Sequence, residues 1–133
     1  MPKSKLAGWV LSALIALMLI GPSAGGKLMD YEGKEKMFAE MGWKTSTMLY
    51  IGIVEIAIAV IFLIPRTGFI GAILVTAYLG GATATHVRVS QPFVFPVILG
   101  VLVWIAYGLR NPVIFALGLG KTPSTGSVEP STK

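Results

Sequence analysis

Five of the six acidic side chains fall where water should reach them: Asp30, Glu32, Glu35 and Glu40 in one polar stretch, and Glu129 near the C-terminus. The sixth, Glu55, stands inside the apolar stretch 49–59 (LYIGIVEIAIA). A charge at membrane depth costs about 3 kcal/mol on insertion scales, so such an acid persists only if protonated, paired or beside a wet cavity. Two roles compete for it. It can bind a ligand or exchange a proton, or it can simply hydrogen-bond neighbouring helices and hold them together.

The candidate partners lie further along the chain, at Tyr78, Thr83, His86 and Arg88. An imidazole titrates near neutrality and suits proton exchange, although a lone interfacial histidine is as readily a hydrogen-bonded structural residue. Arg88 can donate to an anionic or quinone-like oxygen, or act as a snorkelling anchor at the membrane edge. Glu55 lies deeper than His86 by about 9 Å at a helical rise of roughly 1.5 Å per residue. Water, Tyr50, Tyr78 or Thr83 must therefore bridge them. No Lys or Arg falls within the apolar runs, so desolvation should leave the Glu55 carboxyl neutral and donating to a neighbouring helix. Arg110, followed by Asn111-Pro112, reads as a helix end with a cationic anchor.

Other chemistry is missing. The chain has no cysteine and one histidine, which excludes disulfides, thiolate nucleophiles, cysteine-held clusters and paired haem ligands, and leaves no metal site. It has no phosphate-cradling glycine loop, no GxSxG and no close pair of carboxylates. No catalytic residue is assigned. A self-sufficient hydrolase or transferase is therefore not expected, and the chain is read as a non-enzymatic component.

The elements that must position these groups are membrane helices. Hydrophobic residues make up 54% and charged ones 13% of 133 residues, with mean hydropathy +0.77, which argues against an ordinary soluble domain. The net charge of +5 is scattered between apolar blocks, so a nucleic-acid partner is not expected. Apolar runs cover Leu6–Ile20, Thr47–Ile64, Gly68–Val87 and Phe93–Leu109. Each is about long enough to cross a 30 Å hydrocarbon core, and in lipid such runs must be helical. Lys3, Lys5 and the small residues Ser23-Ala24-Gly25 also fit a cleaved signal peptide over the first run, but its length and three further apolar runs favour a span.

The expected fold is an all-α membrane protein with four transmembrane helices in an antiparallel bundle. Tight joints at Pro65-Arg66-Thr67 and Ser90-Gln91-Pro92 make neighbours of consecutive spans, and Pro92 suits a helix start. In the third span Gly68, Ala72, Thr76, Gly80 and Ala84 recur at intervals of four as a small-residue contact row. Within the long first loop, Tyr31 to Met41 can form a short amphipathic helix, capped by Asp30 and ended by Gly42, with Met37, Phe38 and Met41 on one face. A solvated loop is the alternative. Residues 1–120 should form one transmembrane domain, and 121–133 a disordered polar tail. Lys and Arg number 6 against 5 on the two sides when the N-terminus is inside, a slight bias towards both termini in the cytoplasm.

Across residues 6–117 the order of residues resembles the DoxX family. The segments that carry the likeness are GWVL at 8–11, GIVE at 52–55, LIPRT at 63–67, GAIL at 71–74 and YLGGATATHVR at 78–88, with Gly42 and LRNP at 109–112. The resemblance implies a small four-helix protein of the bacterial inner membrane. Some relatives are associated with redox complexes, including a subunit of a thiosulfate:quinone oxidoreductase and a partner of superoxide-detoxifying enzymes. An accessory membrane subunit follows as the leading reading, with a quinone or lipid-like ligand near Glu55, Tyr78, Thr83, His86 and Arg88. No cofactor other than a quinone is implied. Its partners would be the bilayer and a redox enzyme or a second copy. The alternatives are a small proton-coupled transporter using Glu55, and an assembly factor whose loop helix recruits a soluble protein.

Overall fold

The computed structural model describes residues 1–121, and every regular element among them is helical: α1 (Lys3–Met18), a π-helical segment (Leu19–Ala24), α2 (Gly25–Leu28), α3 (Lys34–Glu40), α4 (Thr45–Leu63), α5 (Gly68–Arg88), α6 (Val94–Arg110) and α7 (Val113–Gly118). The expected disordered tail lies outside the described residues apart from Lys121.

The first span is longer than its apolar run. Pro22 has no N–H and its ring clashes with the carbonyl four residues back, so a regular helix should kink or stop there. The chain instead widens into the π segment, with Pro22 inside it, and α2 continues from its end. The result is one continuous helix of 26 residues, Lys3–Leu28, carrying Ser23 and Lys27 on a span rather than in a loop.

Lys3–Leu28, Thr45–Leu63 and Gly68–Arg88 are long and apolar enough to cross a membrane; Val94–Arg110 is a shorter apolar helix of 17 residues. Large apolar side chains such as Leu14, Ile53, Val54, Ile70 and Val101 remain exposed around these helices, as expected of surfaces that face lipid. The chain is a membrane protein.

Helix α1 packs on α6, α6 on α5 and α5 on α4, and α4 meets α1, the π segment and α2. Between them lies a core that includes Leu19, Phe62, Val75 and Val103. A glycine is needed at 71, where a Cβ would run into the Phe62 backbone; that approach brings α4 and α5 together. The small-residue row of α5 makes contact over only part of its length. Gly68 and Ala72 are buried, whereas Thr76, Gly80 and Ala84 are exposed, and the buried set continues through Val75 and Leu79. An interval of four drifts around a 3.6-residue helix by about 40° per step, so such a row leaves the contact within two turns.

The joints differ in detail from expectation. Thr67 caps α4 by donating from Oγ1 to the Ile61 carbonyl at 2.9 Å. Helix α6 starts at Val94, after Phe93 rather than at Pro92, with Pro96 in its first turn. In the long loop, α3 starts at Lys34 with Gly33 as its cap residue; Asp30 does not cap it and stands 3.8 Å from Lys34. Gly42 follows α3 at φ +82, as the left-handed end of a helix requires.

Candidate functional site

Because the first span runs on past Pro22, Lys27 arrives beside Glu55. Its Nζ donates to Glu55 Oε2 at 2.9 Å, to Ser23 Oγ at 2.9 Å and to the Ser23 carbonyl at 3.2 Å. All three N–H bonds of the ammonium are thereby engaged. The Glu55 side chain is fully buried and that of Lys27 is 12% exposed. Gly52, one turn before Glu55, faces the Cβ of Lys27 and lets α2 approach α4 closely. The expectation of a neutral Glu55 carboxyl rested on the lack of a cation in the spans, and Lys27 removes that premise. One valence stays open: Glu55 Oε1 is buried with no hydrogen-bond partner.

Lys27 forms part of the wall of a half-open cavity of about 740 Å³, bordered by the end of α1, the π segment, α2, α3, the first half of α4, α5 and the start of α6. Its wall is mostly apolar and soft, with Met18, Met37, Met41 and Met48 among the lining residues. Phe38 of α3 is buried against it. The apolar face of α3 is thus turned onto the cavity. Methionine side chains are flexible and polarizable, so such a wall can adapt to an apolar occupant.

The candidates on α5 divide. Tyr78 lines the cavity with its ring centroid 5.8 Å from Lys27 Nζ. His86 also lines it, its Nδ1 lying 2.6 Å from the Ala82 carbonyl one turn back. Thr83 turns its hydroxyl onto the Leu79 carbonyl at 2.8 Å and is not part of the wall. Arg88 is also absent from it. Its guanidinium donates to the Met41 carbonyl, lies 5.9 Å from the Trp43 ring and rests against Gly42. That position ties the end of α3 to α5. Glu55 is one step behind the cavity, reached through Lys27. Among the described residues no group of three or more His, Cys, Asp or Glu could hold a metal ion.

Sequence reasoning missed Lys27 and Ser23 because Pro22 and the glycines after it read as a helix end. The signal was their spacing: on a helix that ran on, Ser23 and Lys27 would share a face.

A second polar group lies away from this cavity. Arg110 is 2% exposed, not an anchor in water. It donates to the Phe62 carbonyl at 2.9 Å and to Ser12 Oγ at 3.3 Å, and its guanidinium lies 3.9 Å from the Trp9 ring centroid. Its Nε and Nη2 have no partner. Small residues make the space, since a Cβ on Gly68 would collide with Nη2. The guanidinium serves the last turn of α4, where carbonyls lack helical partners and the helix dipole favours a cation.

These features define a helical membrane protein with a largely apolar cavity, one of whose wall residues, Lys27, is ion-paired to a buried Glu55 behind it. A family model described as DoxX-like family matches residues 10–106, and the chain belongs to that family. No curated protein and no solved structure matches it.

Proposed function

We propose that the protein is an accessory, redox-associated subunit of the bacterial inner membrane, with four antiparallel spans, that holds a quinone or lipid-like ligand in the 740 Å³ cavity. The observation that carries the reading is the cavity itself, apolar over most of its wall and edged by Lys27, Tyr78 and His86. Its size is that of a site for a drug-sized ligand, about 300–1,000 Å³. An apolar body fills the methionine-lined part, and a polar head meets the few polar groups. Titrating the purified protein with a short-chain ubiquinone analogue in a calorimeter tests this. Wild type should bind saturably and Ala82→Phe, which puts a ring at the cavity wall, should bind more weakly. A wild type without saturable binding removes the ubiquinone reading.

A second reading, proton-coupled transport, is favoured by one observation: Glu55 Oε1 is buried without a partner, an unengaged oxygen that is free to carry a proton. Proteoliposomes loaded with a pH-sensitive dye should then acidify when a substrate cation leaves, and Glu55→Gln should not. No coupled flux would discard this reading.

A further inference from the structure

We infer that the cavity opens sideways into the bilayer, between the π segment and the start of α6, and that its ligand is a membrane-dissolved amphiphile whose apolar tail lies in that opening. This rests on the ligand-binding reading above and adds the ligand's source and its route.

The opening follows from Pro22. Sharp bends in helices occur at proline and at π segments, and here the two coincide. Before them, α1 lies close on α6: a Cβ on Gly8 would collide with the Ala106 carbonyl and the Arg110 backbone nitrogen. After Met18 that approach ends. Among the described residues neither the π segment nor α2 closes on α5 or α6, and both pack against α4 instead. Across the space this leaves, Lys27 Nζ stands 5.8 Å from the Tyr78 ring centroid.

The residues on the two sides of the gap belong to the wall and to the surface at once. Met18 and Pro22 on the first span, and Pro92 and Phe95 at the start of α6, line the cavity. All four are exposed, Met18 by 39% and Phe95 by 58%. None carries a charge, and Met18 falls within the apolar run Leu6–Ile20, at hydrocarbon depth. Towards the polar loop the cavity is roofed by α3. Phe38 is buried there, Met37 and Met41 line the wall, and Arg88 holds the Met41 carbonyl. A solute in water meets that roof, whereas an apolar molecule in the bilayer meets a gap between apolar side chains. Size points the same way. A cavity of about 740 Å³ holds a drug-sized body, so a tail of membrane length has to leave through the gap.

Photo-crosslinking of the full-length protein in liposomes tests this. A diazirine amino acid is placed in turn at Met18, Phe95, Met37 and Ile98. Each variant is given a long-chain ubiquinone or monoolein, two probes that separate a quinone from a lipid as the source of the tail. Met18 and Phe95 should form adducts on the tail of the bound probe, and an excess of its short-chain analogue should suppress them. A bound tail is held beside these positions at high effective concentration. Their adducts should therefore exceed by about tenfold those at Ile98, which is exposed but outside the wall. Met18 and Phe95 report independently, so a variant that fails to fold at one position leaves the other to decide. Tail adducts at Met37, or none above the Ile98 level at the rim while the short-chain analogue binds saturably, overturn the inference and leave the ligand-binding reading standing. Absence of saturable binding with both probes and their analogues removes both.

Discussion

Lys27 and Glu55 are 28 residues apart in the chain and 2.9 Å apart in space, and neither has a second oppositely charged partner among the described residues. A buried pair of this kind is costly to break, because removing one partner leaves the other charge uncompensated, at about 3–5 kcal/mol. Replacing both with apolar groups removes that penalty. Glu55→Leu and Lys27→Met should therefore each destabilise the protein by about that amount, and the double variant by much less than their sum. Unfolding in mixed micelles measures the cycle. Additive losses would mean that the two charges do not act as a pair.

The pair in turn depends on Pro22. Without the ring, the π segment can relax to an ordinary helix, and the loss of its extra residue rotates everything after it by about 100°. Pro22→Ala should carry Lys27 off Glu55, so the coupling measured by the same cycle should drop below about 0.5 kcal/mol. An unchanged coupling would show that the π segment has another cause.

This dependence also explains what could be read from the sequence. Three of the four apolar runs are close to their observed helices, because length and hydropathy fix a membrane helix almost regardless of detail. Glu55 stood out for the same reason, as an acid where none should be. Its partner did not, since proline followed by glycines signals an end in water, and only the packed structure shows the helix running through. Arg110 was hidden in the same way: a cation at a helix end normally reaches water, and here Trp9, Ser12 and Phe62 cover it.

Arg110 offers a test that separates shape from charge. Lysine keeps the charge but has no planar guanidinium to lay against the Trp9 ring, and its one nitrogen must replace the Nη1 that serves both Ser12 and Phe62. Methionine leaves the Phe62 carbonyl without its donor but leaves no buried charge. Arg110→Lys should cost about 2–3 kcal/mol and Arg110→Met no more than that. A benign Arg110→Lys in thermal unfolding would show that a point charge is all the site needs.

The glycines of α5 should split by position. Gly71→Ala drives a methyl into the Phe62 backbone, and as an overpacked contact should destabilise by about 1–3 kcal/mol or more. Gly81→Ala enters open space in a helix interior and should stabilise by about 0.5–1 kcal/mol. Equal effects in thermal melts would argue against the close approach of α4 and α5.

The most direct measurement of the central claim is the identity of what the cavity retains from the membrane. Native mass spectrometry of protein released from its own membrane should find about one amphiphile per wild-type chain, and less of it on the Ala82→Phe variant, whose ring intrudes on the cavity. Bare wild-type protein, or the same bulk lipids on both proteins, would contradict the account.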